Sequence, residues 1–103
     1  MIFIAQLTHT PELCFGRPEH KEMAKVLMEF FENMGKYEKE AGVKKLGFYQ
    51  NEHTFTFILE SDSYLNVSNF LSIDPLLTHH TVKITPVSTL EETLEFARKV
   101  VKK

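Results

Sequence analysis

Histidine, cysteine and carboxylate side chains are the residues of this 103-residue sequence with the clearest chemical potential. These residue types are the usual protein ligands of zinc and iron. They are spread along the chain and follow no compact ligand motif such as Cys-x-x-Cys or His-Glu-x-x-His. The candidates are His9, Cys14, Glu52, His53 and His80. Whether they form one site therefore depends on the elements that carry them.

Four segments have the short apolar or alternating pattern that is typical of β-strands. They are Ile2–Thr8, Val43–Gln50, His53–Glu60 and Thr81–Val87. The second and third segments are separated by Asn51 and Glu52, which is a short enough connection for a hairpin. We therefore expect these two strands to be antiparallel.

A long amphipathic helix is predicted between the first two strands. Apolar residues recur at helical spacing from Met23 to Tyr37, with glutamate and lysine on the other face. Pro18 suits the first turn, and Gly42 suits the left-handed position after the last turn. The helix should therefore occupy most of the connection between the first and second strands.

Two further helices are predicted after the hairpin. Ser61 or Asp62 can cap a short helix, which should end near Pro75 because the residue before a proline resists helical angles. Thr89 and Glu92 have the spacing of a capping box, which predicts a terminal helix. Its apolar face consists of Leu90, Leu94, Ala97, Val100 and Val101.

The resulting order, β-α-β-β-α-β-α, predicts an α+β class protein with a ferredoxin-like fold and an added C-terminal helix. The crossover rules give an antiparallel four-stranded sheet with the order four, one, three, two. A less regular α+β sandwich is the alternative. With no repeat or linker in the sequence, residues 1–103 are expected to form a single domain.

This topology collects the candidate ligands at one sheet edge. His9 closes the first strand, His53 opens the third, His80 opens the fourth, and Cys14 follows in the loop that leaves the same edge. We therefore predict a metal site of His9, Cys14 and His53, with Glu52 and His80 as additional ligands. The alternative is that the histidines hydrogen-bond backbone or water and that Cys14 is a small apolar filler.

A sheet covered by one layer of helices leaves its other face without a partner. Pairing of two copies through this face is the expected remedy, which predicts a homodimer. Gln6, Thr8 and Thr56 share the open face by strand parity and could contact a small molecule there. Arg17, at the start of the first helix, is a further candidate for binding an anionic ligand.

Composition excludes several classes of partner. The net charge is −2 and the basic residues form no long block, which argues against nucleic acid. The sequence has no apolar run of roughly 18 residues, so no membrane span is expected. One cysteine and no recognisable signal peptide predict a cytoplasmic protein without an internal disulfide.

Four stretches resemble a small uncharacterised prokaryotic family of the dimeric α/β-barrel superfamily. They are Leu7–Cys14, Gly42–Tyr49, the pair Glu52-His53 and Ile84–Val87. The resemblance covers most of the chain and implies a ferredoxin-like protomer that dimerises sheet to sheet. The superfamily includes monooxygenases, isomerases and an iron-dependent sulfur oxygenase, so the fold does not assign an activity. The absence of tryptophan separates this chain from the heme-degrading members with an Asn-Phe-Trp constellation.

Three functions remain open from the sequence. The favoured one is a protein that binds a metal ion or a small ligand, because no nucleophile, base and orienting group can be named together. The second is a metal-dependent or cofactor-independent enzyme of the oxygenase or isomerase type. The third is a structural or regulatory dimer in which the histidines and Cys14 have no chemical role.

Overall fold

A computed structural model describes residues 1–73 and 76–102 of the chain. Within these residues, four strands form one sheet: β1 Ile2–Thr8, β2 Val43–Gln50, β3 Thr54–Ser61 and β4 Thr81–Val87. The bounds agree with the sequence prediction except in β3, which is shifted by one residue at both ends from the predicted His53–Glu60. His53 belongs to the hairpin turn, where Asn51 Oδ1 accepts the backbone N–H groups of His53 at 3.2 Å and Thr54 at 3.0 Å.

The sheet is antiparallel throughout and has the order β2-β3-β1-β4. β1 lies between β3 and β4, and its last residue, Thr8, pairs with Thr54 on one side and Thr81 on the other. The residues just beyond these three positions therefore lie at the same edge of the sheet. They are His9, His53 and His80.

Five α-helices accompany the strands in the described residues: α1 Lys21–Glu32, α2 Met34–Ala41, α3 Tyr64–Phe70, α4 Leu76–His79 and α5 Leu90–Lys102. The single long helix predicted before β2 is divided at Asn33, whose side-chain Nδ2 donates to the Glu29 carbonyl at 2.9 Å. An asparagine that bonds the backbone in this way competes with continued helix. Gly42 ends α2 in the left-handed conformation, with φ of 72°, as predicted.

The helix caps confirm one sequence prediction and correct another. The capping box that opens α5 is present, since Thr89 N–H donates to Glu92 Oε1 at 2.9 Å and Glu92 N–H donates to Thr89 Oγ1 at 3.1 Å. The cap of α3 is Ser63, which accepts the N–H of Asn66 at 3.1 Å, and not Ser61 or Asp62. Ser61 instead donates to the Gly42 carbonyl at 2.9 Å. The predicted helix end near Asp74 and Pro75 lies outside the described residues.

Apolar side chains from one sheet face and from α1 to α4 form the core. Its largest buried members include Phe3, Leu7, Phe30, Phe57, Leu59 and Val67. The opposite sheet face carries Gln6 and Thr8, which are exposed. Every residue of α5 is also exposed, including Leu90 at 74% and Val101 at 83%. The core therefore occupies one side of the sheet, and the open sheet face and the apolar side of α5 remain in contact with solvent.

None of the helices formed by residues 1–73 and 76–102 combines the length and apolar character that a membrane span requires.

Candidate metal centre

His9 continues the pairing of β1 and β3 by one step beyond the sheet. Its backbone N–H donates to the carbonyl oxygen of His53 at 3.0 Å, so the two residues are directly opposed. The His9 side chain is only 7% exposed, whereas the His53 side chain is 34% exposed. The sheet register therefore brings a buried and a partly accessible imidazole together.

The facing nitrogens of this pair have a separation that suits a shared metal ion. His9 Nε2 lies 3.3 Å from His53 Nδ1. One ring nitrogen of each histidine and Cys14 Sγ form a group whose atoms all lie within 4.8 Å of one another. Tetrahedral zinc, with bonds of about 2.1 Å to nitrogen and 2.3 Å to sulfur, places two nitrogens about 3.4 Å apart and nitrogen and sulfur about 3.6 Å apart. The two imidazoles therefore need little movement to bind zinc.

Cys14 reaches the cluster because the loop after β1 folds back over the sheet edge. Pro11–Leu13 forms a short 3₁₀ turn, and the Cys14 N–H donates to the Pro11 carbonyl at 3.2 Å. The Arg17 N–H then donates to the Cys14 carbonyl at 3.1 Å. These two hydrogen bonds fix the backbone on both sides of a half-buried thiol.

His80 bonds the nitrogen of His9 that faces away from the cluster. His9 Nδ1 lies 3.2 Å from His80 Nε2, and His80 Nδ1 lies 3.2 Å from the Leu76 carbonyl oxygen. A carbonyl only accepts, so His80 carries its proton on Nδ1 and accepts from His9 Nδ1–H with Nε2. This assignment leaves a lone pair on His9 Nε2, directed toward His53.

Glu52 stands beside the outer nitrogen of the other imidazole. Its Oε2 lies 3.9 Å from His53 Nε2, and its side chain is 93% exposed. The alternation of side chains along a strand argues against such a pair, yet it forms because both residues lie in the hairpin turn and not in β3. Glu52 and His80 thus contact the histidines of the cluster and contribute no atom to it.

The surroundings favour the neutral form of His9. Burial lowers the pKa of His9 below its usual 6.5, and the neighbouring imidazoles of His80, His53 and His79 lower it further. Desolvation and nearby positive charge both disfavour an imidazolium. Neutral imidazole is the form that binds a metal, so burial keeps His9 in its coordinating form near neutral pH.

Aromatic side chains enclose the buried end of the cluster. The ring of Phe15 meets His9 edge-on at 5.7 Å between centroids and stacks on His80 at 5.5 Å. Phe55 lies 6.4 Å from His9 and 5.4 Å from His80, measured in the same way. Both phenylalanines also line a groove of about 400 Å³ beside α1. The sequence singled out neither as part of a site, because an isolated phenylalanine is most simply assigned to the core.

Two other histidines extend the same cluster of rings. His79 lies 5.5 Å from Phe15 and 5.3 Å from His20, measured between ring centroids. His20 Nε2 lies 2.9 Å from the Glu12 carbonyl oxygen, while His79 Nε2 is buried without a hydrogen-bond partner among the described residues. Nothing in the sequence spacing indicated that His20, near the start of α1, would contact His79 at the end of α4.

The predicted ligand-binding residues lie elsewhere. Gln6 is opposite Thr56 on the open sheet face, and Thr8 Oγ1 lies 3.2 Å from Thr54 Oγ1. Arg17 Nε donates to the Pro11 carbonyl at 2.9 Å, and its Nη1 pairs with a Glu19 oxygen at 3.4 Å. Arg17 therefore braces the loop that carries Cys14.

Comparisons with protein-family models, with curated proteins and with solved structures found no match for this chain. The function is therefore inferred from the geometry of the site.

Proposed function

We propose that this protein binds one zinc ion per chain through His9 Nε2, His53 Nδ1 and Cys14 Sγ. The observation that carries the proposal is that one ligand atom from each of His9, Cys14 and His53 lies within 4.8 Å of the other two at the end of the sheet. Imidazole and thiolate are each common ligands of zinc in proteins. Iron(II) is the alternative ion, but its common two-histidine, one-carboxylate site needs a carboxylate that the cluster lacks.

The groups that contact the outer nitrogens of the two histidines also support a metal site. Histidines that bind metal usually donate their other N–H to a carboxylate or a hydrogen-bond acceptor, which fixes the ring and its tautomer. His80 Nε2 is placed to do this for His9, at 3.2 Å. Glu52 would accept the other N–H of His53 in the same way. Its Oε2 lies 3.9 Å from His53 Nε2, so the two side chains would have to approach each other when the metal binds. In this proposal the two residues orient the ligands instead of binding the ion.

Three protein ligands leave the fourth tetrahedral position of zinc open. Closed four-ligand sites are structural, whereas three-ligand sites bind water or an exogenous ligand. We therefore propose a binding function centred on that fourth position. A hydrolytic enzyme would use the same position to activate water.

We further propose a ferredoxin-like protomer that forms a homodimer through the open sheet face. Ile2, Ile4 and Ile58 are only partly covered on that face, and Tyr49 beside them is 65% exposed. The apolar side of α5 adds a second unpartnered surface. Contiguous apolar surfaces of this kind are typical of interfaces.

The metal proposal is tested by elemental analysis of the untagged chain, purified anaerobically without chelators. We expect about one zinc per chain in the wild type and a large loss in Cys14→Ser. His20→Asn, which alters a histidine outside the proposed ligand set, is the matched control and should keep the ion. Cobalt substitution should give a thiolate-to-cobalt charge-transfer band that Cys14→Ser abolishes. Absence of metal from the wild type, even after reconstitution, would refute the proposal.

A further inference from the structure

The groove beside α1 is apolar along its walls and polar at its rim. It has a volume of about 400 Å³ and lies where α1 faces the paired ends of β2 and β3. Leu27, Met28 and Phe31 line it from α1. Its polar rim consists of Glu32 and Gln50, both exposed. The volume falls within the range of roughly 300–1,000 Å³ that is typical of small-molecule sites.

The groove shares two side chains with the wall of the metal centre. Phe15 follows Cys14 in the chain and lies 5.7 Å from His9 between ring centroids. Phe55, two residues after His53, lies 6.4 Å from His9. A molecule in the groove would therefore contact the same phenylalanines that enclose the proposed ligands.

Charge at the metal centre favours an anionic group. Zinc bound by one thiolate and two neutral imidazoles would keep a net charge of about +1. An anion at the fourth position would neutralise this charge within an aromatic enclosure, where electrostatic attraction is stronger than in water. The residues that line the groove, in contrast, carry no positive charge, and Glu32 at the rim is negative, so the groove itself would not attract the anionic group.

We infer that the natural ligand is an amphiphilic anion, a medium-chain or aryl carboxylate or a related acid. Its head completes the coordination of the metal, and its apolar body lies in the groove beside α1. This inference rests on the proposed zinc site. Met28 is the informative lining residue because its side chain is 56% exposed, so it can be changed without opening the core.

The test uses hydroxamates of increasing chain length as probes of the cobalt-loaded full-length protein. Binding of acetohydroxamate and octanohydroxamate is followed by the d–d absorption of cobalt, with retention of the metal checked by elemental analysis. We expect octanohydroxamate to bind on the order of 100-fold more tightly, because about half of its six additional methylenes would leave water. Met28→Gln should reduce this preference roughly three- to tenfold by making the groove wall polar.

Two control variants separate the groove from general effects on α1. Met28→Leu should keep the chain-length preference, and so should Val26→Gln, a change at a 45% exposed position of α1 outside the groove lining. If the metal binds stoichiometrically but both hydroxamates bind equally well, the groove inference is wrong and the metal proposal stands. If neither zinc nor cobalt binds, both proposals are wrong.

Discussion

His9 and His80, 71 residues apart in sequence, meet side by side with His9 Nδ1 at 3.2 Å from His80 Nε2. His80 in turn donates from Nδ1 to the Leu76 carbonyl. The Leu76 carbonyl thus fixes the tautomer of His80, and His80 in turn fixes the tautomer of the buried His9. The consequence for His9 is that its Nε2 presents a lone pair to the cluster, which is the state a metal requires.

This relationship predicts that His80 controls metal affinity without binding the ion. His80→Ala should weaken zinc binding by about 10- to 100-fold, because loss of the acceptor frees the His9 ring and its tautomer. His80→Gln, whose amide oxygen can accept from His9 Nδ1–H, should recover most of the affinity. Competition with a chromophoric chelator measures both.

Thermal unfolding of the metal-free variants is the control for this comparison, since both substitutions alter a buried residue. If zinc affinity recovers in His80→Gln and the two variants are similarly stable, His80 is supported as a residue that positions His9. Equal affinity in the wild type and both variants would contradict it.

The pKa of His9 predicts a pH-dependent stability of the metal-free protein. Burial and the adjacent imidazoles lower this pKa in the folded state below the 6.5 of an unperturbed histidine. The unfolded chain therefore binds more protons below pH 6.5, so the free energy of unfolding should fall as the pH is lowered through that value. One group contributes a slope of at most about 1.4 kcal/mol per pH unit.

Urea unfolding at pH 7.5, 6.5 and 5.5 measures this slope in the wild type and in His9→Gln. The variant lacks the titrating ring, so its stability should change less over the same interval. Parallel profiles of the two proteins would assign the pH dependence to other groups.

Gly42 and Gly35 are expected to respond in opposite directions to alanine. Gly42 has a φ of 72°, and a Cβ there would lie 3.1 Å from Asn66 Nδ2. Gly42→Ala should therefore cost about 1–2 kcal/mol of unfolding free energy. A Cβ on Gly35, within α2, would meet no atom within 4 Å, and Gly35→Ala should stabilise by up to about 1 kcal/mol. Chemical denaturation compares the pair, and a stabilised Gly42→Ala would contradict the prediction.

The proposed homodimer makes the open sheet face sensitive to added charge. Tyr49→Lys should convert a dimer to a monomer with little change in monomer stability, because Tyr49 lies opposite Thr56 on that face and is 65% exposed in one chain. Light scattering coupled to size exclusion measures the mass. Glu91→Gln, on α5, changes the net charge by the same amount and should remain dimeric. A monomeric wild type at about 100 μM would refute the dimer proposal.

Local patterns in the sequence predicted most of the secondary structure. Apolar alternation located the strands, and the Thr89–Glu92 spacing predicted the capping box that opens α5. The break at Asn33 was not predictable, because apolar periodicity continues across it and the outcome depends on a side chain bonding the Glu29 carbonyl. The Ser63 cap was misplaced for a related reason, since three neighbouring residues have capping side chains.

The sequence by itself determined an antiparallel four-stranded sheet of an α+β protein and placed His9, Cys14 and His53 at one edge of it. Strand order follows from connection lengths and crossover rules, so it is encoded locally. Only the tertiary structure decided which ring nitrogens face each other, that His80 bonds His9 and that Glu52 flanks His53. It also revealed the groove beside α1, which Phe15 and Phe55 line while also contacting His9. Those features depend on side-chain rotamers and on contacts between distant residues, which packing fixes and sequence spacing does not.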